Sequence, residues 1–240
     1  MVRLRTFERP AVLRRLPQNP PLMGGRGATE SKTVRLFSDF VCPFCFVAER
    51  SSLARLQNEF DLEVDWRGFE LHPETPPGGV RLADYFPGAQ AARMREFMRG
   101  FAARFGVREM GSPDHLPNTR RALAMSEFAR DEGRLEAFRE AAMRAHWQEG
   151  GDLEDAADLR GIARAAGLDE AAALSAASDR RYLDRVAGRR EEAQRMGVTG
   201  VPTFFFGDVP VVGCQPYETL AAAARQAGAA PRITTPATRS

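Results

Sequence analysis

Apolar positions change period several times along this chain. Residues 33–40 carry the Val, Leu and Phe content of a buried strand, and apolar residues at helical spacing follow (Cys45, Val47, Ala48, Leu53, Leu56) to about Phe60. Residues 62–69 alternate with period two, which predicts a second strand. Strand, helix and strand in that order make a right-handed β-α-β unit. The run His72-Pro73-Glu74-Thr75-Pro76-Pro77-Gly78-Gly79 then breaks regular structure. From there to Gly197 the pattern is helical throughout. Met94, Phe97, Met98, Phe101 and Phe105 form one stripe, expected to face the core, and Asn118 is a cap candidate for a helix reaching Gly133. Further helices suit residues 135–148, 153–166, 170–177 and 180–196, with Gly167 and Gly197 as stops.

The strand signal returns in residues 201–214. Gly207-Asp208 is a two-residue hairpin loop that pairs Phe206 with Val209 and brings Pro202 beside Gly213; Pro210 then requires its strand to lie at a sheet edge. A final helix is predicted over residues 217–227. The chain thus reads as an α/β domain split into a β-α-β half (33–70) and a β-β-α half (198–228) by a large helical insertion (71–197). Residues 1–32, with Pro17-Gln18-Asn19-Pro20-Pro21 and Gly24-Gly25-Arg26-Gly27, read as a disordered extension, and residues 229–240 as a disordered tail.

Charge narrows the function. Thirty-four basic and thirty-two acidic side chains are interspersed, with no basic stripe, so nucleic acid is not an expected partner. No apolar run reaches membrane-spanning length and no secretory signal is visible, so a cytoplasmic protein is expected.

The chemistry lies in Cys42-Pro43-Phe44-Cys45, where the first strand gives way to its helix. A Cys-x-x-Cys opening a helix sets its first sulfur near unpaired backbone N–H groups and the positive end of the dipole, an arrangement that favours thiolate. The second cysteine, one turn on, can close a disulfide and release what the first has captured. The same pair could be half of a zinc site, but Cys214 is the one other thiol, and His72, His115 and His146 lack ligand spacing, so no metal is expected.

Four blocks together resemble the FrnE-like branch of the DsbA family: Asp39-Phe40-Val41-Cys42-Pro43-Phe44-Cys45, Trp66-Arg67-Gly68-Phe69-Glu70-Leu71-His72-Pro73, Gly197-Val198-Thr199-Gly200-Val201-Pro202-Thr203-Phe204 and Gly213-Cys214-Gln215-Pro216. The resemblance implies a thioredoxin fold with a helical insertion and a thiol-disulfide oxidoreductase. Cys42 would be the nucleophile, Cys45 the resolving thiol, and Pro202 a cis-proline packed against them. Phe40, Pro43, Phe44 and Val201 would form an apolar substrate lip. Asp39 would either set proton transfer or act as a strand-end carboxylate. Independently of the resemblance, the hairpin register sets Gly213 opposite Pro202 and so Cys214 in the neighbourhood of the redox pair, as a modulator or a small packing residue. Substrates would be protein or small-molecule thiols and disulfides, with glutathione a candidate co-substrate, no other cofactor, and a homodimer allowed. Many members carry tryptophan or histidine where this chain has Phe44, which cannot donate a hydrogen bond to a thiolate; a strongly oxidising poise, near −120 mV against about −270 mV for thioredoxin, is not implied. The same fold also serves glutathione-dependent enzymes similar to 2-hydroxychromene-2-carboxylate isomerase and kappa-type glutathione transferases. Those typically have serine at the first thiol position, and a pocket of that kind would draw on Asn118 and the helical block.

Overall fold

The structure, a computed structural model, describes residues 33–86 and 88–232; the expected N-terminal extension and residues 233–240 lie outside them. Strand β1 (Thr33–Ser38) leads into α1 (Pro43–Ala48), which continues through a π-helical turn (Glu49–Leu53) into α2 (Ala54–Glu59), a single unbroken helix. Strand β2 (Glu63–Gly68) returns parallel to β1, Thr33 opposite Glu63 and Ser38 opposite Gly68. Strands β5 (Thr203–Phe206) and β6 (Val209–Val212) form the hairpin, and α10 (Tyr217–Gln226) closes the domain. The sheet order is β2-β1-β5-β6, with β6 at the edge, where Pro210 removes no needed ladder bond. Phe206 pairs with Val209 across the turn, and Gly207 takes a φ of 59°, the left-handed region that primed hairpin turns require.

Side chains of β1 are buried on both faces. Val34 and Leu36 join the main core under the α1–α2 helix, whereas Phe37 belongs to a second cluster with Phe205, Ala193 and Val198. Between β2 and β5 lie α3 (Leu82–Tyr85), α4 (Gln90–Arg104), α5 (Arg120–Asp131), α6 (Leu135–Trp147), α7 (Ala156–Ala165), α8 (Glu170–Ala176) and α9 (Arg180–Arg195). Charges buried or partly buried clamp this insertion to β2. Glu127 on α5 pairs with Arg130 and with Arg189 of α9, while Asp65 of β2 pairs with Arg67 and Arg130.

Four expectations change. The insertion is not all-helical: β3 (Val80–Arg81) and β4 (His115–Leu116) pair antiparallel, because two residues a side suffice for a ribbon and leave no period to detect. The α4 stripe is only partly core-facing, with Met98 buried but Phe97 53% and Met94 41% exposed. Asn118 does not cap α5 from the terminal position, since Thr119 holds it; the Asn118 side chain instead accepts from the Arg120 N–H at 2.9 Å. The start of the expected tail belongs to the fold: Ala229 is buried, Pro231 bridges Phe60, and the Arg232 N–H donates to the Glu59 carbonyl.

Candidate active site

Cys42 is the N-cap of α1, with the extended backbone of that position (φ −82°, ψ 113°), and Pro43 follows at the first helical position, where its missing N–H costs nothing. The loop is held by the Cys42 N–H donating to the Asp39 carbonyl at 3.2 Å. Across it lies the start of β5: the Val201–Pro202 bond is cis, and the Cys42 thiol donates to the Val201 carbonyl oxygen at 3.5 Å. The hairpin adds its other arm, the Gly213 N–H donating to the Pro202 carbonyl at 2.8 Å, and Cys214 follows directly. Cys42, Cys45, Val201, Pro202 and Cys214 thus converge from three distant segments.

Both thiols of the pair are reduced and buried, Cys42 at 2% exposure and Cys45 at none. Burial pushes the Cys45 thiol well above its ordinary value, helped by neighbouring Cys42. Cys214 is pushed up to about 12, first by burial and then by the charge of Cys42. Phe44 is half-buried and meets the ring of Phe101 on α4.

Phe40 is a core residue, not part of a lip. Its fully buried ring stacks on Trp66 and meets Phe138 edge-on, and its carbonyl accepts from the Trp147 indole at 2.8 Å. Asn118 has its side-chain amide engaged within the insertion, donating to the Thr75 carbonyl at 2.6 Å. Asp39 is fully buried, and its Oδ2 accepts from the Leu71 N–H at 2.7 Å and the Thr119 hydroxyl at 3.3 Å. It ties the thiol loop to the insertion, and burial raises its carboxyl to about 7.

Beneath Cys45 lies a polar group that pattern reading misses. The Ser38 hydroxyl at the end of β1 donates to Glu49 Oε1 at 2.6 Å, the Trp66 indole N–H donates to the same oxygen at 3.2 Å, and Arg139 of α6 pairs with Oε2 at 3.2 Å. Glu49 and Arg139 side chains are each 7% exposed. The one sequence signal for this is that Glu49 stands four residues after Cys45, on the same helical face. Elsewhere, His115, Asp152 and Glu154 bring ligand atoms within 4.8 Å of one another, which could hold a cation. Both Glu154 oxygens already accept backbone N–H groups, from Gly78 and Asn118.

A strand-to-helix Cys-x-x-Cys facing an X-Pro strand start, on a four-stranded sheet with a helical insertion, matches the DSBA-like thioredoxin domain over residues 33–225. The chain belongs to that family. Within reach of this DSBA-like chain is the uncharacterized protein YwbO of Bacillus subtilis, 29% identical over 183 residues, 75% of this chain and 89% of that one. A 2-hydroxychromene-2-carboxylate isomerase of Sphingobium xenophagum is 25% identical, over 74% of this chain and 90% of its own. Among solved structures, one described as a probable DsbA oxidoreductase from Streptomyces coelicolor superposes with a TM-score of 0.71 at 27% identity, covering 87% of this chain and 93% of that one.

Proposed function

We propose that this DSBA-like protein is a thiol-disulfide oxidoreductase in which Cys42 attacks a substrate sulfur and Cys45 resolves the mixed disulfide. The observation that carries the reading is the Cys42 thiol at the helix N-cap, 3.5 Å from the Val201 carbonyl, with Cys45 one turn behind it. Cys42 attack on a disulfide R–S–S–R′ forms Cys42–S–S–R and expels R′S⁻; Cys45 then forms the Cys42–Cys45 disulfide and expels RS⁻, so the pair gives up two electrons and the substrate gains them. Run backwards, the same steps oxidise a dithiol. The pair is the redox group, with protein or small-molecule thiols, glutathione among them, as exchange partners. Pro43, Phe44 and Val201, all half-buried, supply apolar surface at the sulfur, and the extended backbone at Val201 suits pairing with a substrate strand. We place this activity in the cytoplasm and the chain in the FrnE-like branch, on the strength of the motif blocks.

Titrating the Cys42–Cys45 couple in glutathione buffers tests the proposal. A reversible two-electron couple that is lost in Cys42→Ser, and a Cys45→Ser variant that accumulates mixed disulfide, are expected; thiols that never exchange would refute it. The likeness to the isomerase supports a second reading, glutathione-dependent isomerisation. That reading requires turnover of a small-molecule substrate that survives Cys45→Ser.

A further inference from the structure

His115 of β4 faces two carboxylates that precede α7. Its Nε2 lies 4.0 Å from Asp152 Oδ2, too far for a hydrogen bond, and ligand atoms of His115, Asp152 and Glu154 all fall within 4.8 Å of one another. That nitrogen is buried, with no hydrogen-bond partner among the described residues. Such an atom calls for a water or an ion. Gly79 helps to hold the ring in this pose: a Cβ there would stand 2.3 Å from Nε2 and 2.6 Å from the Leu116 carbonyl oxygen, so only glycine lets the backbone pass.

The carboxylates decide between water and ion. Among the described residues no arginine pairs with Asp152 or Glu154, although Glu49, Glu70 and Glu127 each have one. Two negative groups this close repel, and a cation offsets that repulsion where a neutral water does not. Both carboxylates are fixed by backbone N–H groups. Asp152 Oδ1 accepts from Glu154 at 2.9 Å, leaving Oδ2 toward His115, while the two Glu154 oxygens accept from Gly78 at 2.9 Å and Asn118 at 2.8 Å. One such bond leaves each oxygen a second lone pair, and metal-ligating carboxylates are commonly fixed in this way. Spacing along the chain hides the group, because the acids arrive from 37 and 39 positions away (152 − 115 and 154 − 115).

We propose that His115, Asp152 and Glu154 bind one divalent transition ion, with water completing its shell. The side chains of His115 and Asp152 are 35% and 44% exposed, which leaves a path for the ion and room for water. One imidazole and two carboxylates disfavour thiolate-seeking ions. The 4.0 Å separation of Nε2 and Oδ2 also exceeds the ~3.3 Å between ligands of a tetrahedral zinc with bonds of ~2.0 Å. An octahedral ion of the Mn²⁺ kind suits the set. It acts as a structural clamp: Glu154 already reaches Gly78 and Asn118, and Asn118 adjoins Thr119, which holds Asp39 of the thiol loop.

Mn²⁺ alone is the probe, added to the full reduced chain and followed by loss of the hydrated ion's electron paramagnetic resonance signal. It stands at the weak end of the divalent series and avoids thiolate, so Cys42, Cys45 and Cys214 do not compete. One ion per chain is expected to bind, at least about tenfold more weakly in His115→Gln and in Asp152→Asn. Spin-echo modulation from an imidazole nitrogen is expected on the ion bound to wild type, a signature that needs no variant to be read and that His115→Gln should abolish. Absence of binding, binding without nitrogen modulation, or an affinity unchanged in both variants, the mark of an adventitious ion only, overturns the site. Modulation that persists in His115→Gln overturns it too, by assigning the ion to another histidine.

Discussion

Phe44 meets Phe101 edge-on, with ring centroids 5.1 Å apart and planes at 86°. One of the two residues between the thiols is therefore packed against the insertion, and Phe101 in turn stacks on Phe97 and meets Phe105 at a tilt along α4. Removing the shared ring uncouples the thiol loop from that helix. Phe101→Ala is expected to lower unfolding free energy by about 2–3 kcal/mol, the lower end for a large-to-small change because the ring is half-exposed. Urea unfolding measures the loss, and alkylation of Cys42 should quicken severalfold in the same variant. An unchanged alkylation rate would mean that α4 does not screen the thiol.

Asp39 makes the folded chain less stable as pH rises. Burial lifts its carboxyl from 3.8 to about 7, so between those values the folded chain binds more protons than the unfolded one. Stability then falls across that window and is level above it. Asp39→Asn keeps an acceptor for Leu71 and Thr119 without the charge. The variant should gain on wild type by up to about 4 kcal/mol in going from pH 4 to pH 8, read as the difference between denaturant curves. A difference that does not change with pH would contradict the buried, partnerless Oδ1.

His146 has the opposite sign. Its ring is buried beside Trp147, and burial depresses it from 6.5 to about 4, so the stability it contributes is complete above 6.5 and lost as pH falls toward 4. His146→Gln should remove an acid-side loss on the order of 3 kcal/mol. Because the Asp39 and His146 slopes oppose each other over one window, wild type should change little there while each single variant changes clearly. Thermal melts of the three proteins in matched buffers would reveal it.

Cys214 is expected to be a spectator thiol at the site. Held up to about 12, it stays protonated near neutrality, and the Cys42–Cys45 couple should keep its potential in Cys214→Ala. Peptide mapping of the oxidised protein should find the Cys42–Cys45 link alone. A linkage to Cys214 would make it a third redox residue.

The motif and the hairpin were legible because their signals are local. Cys42-x-x-Cys45 sits at a period change, and Gly207-Asp208 sets a register that carries Pro202 to Gly213 without reference to the rest of the molecule. Phe40 and Phe97 were misplaced because an apolar residue reads alike whether the fold covers it or leaves it in water. Phe40 found Trp66 and Phe138, whereas Phe97 stays 53% exposed among the described residues.

By itself, then, the sequence determined the order of elements in the β-α-β and β-β-α halves, the place of the thiol pair at a helix start and the hairpin pairing, all consequences of period, turn chemistry and spacing over a few residues. Tertiary structure alone decided which charges are buried and what they hold. Glu49 meets Ser38, Trp66 and Arg139, and Asp39 meets Leu71 and Thr119, through segments brought together from up to 90 positions away (139 − 49). A carboxylate's desolvation and its partners depend on that assembly, and nothing in the local run of residues records them.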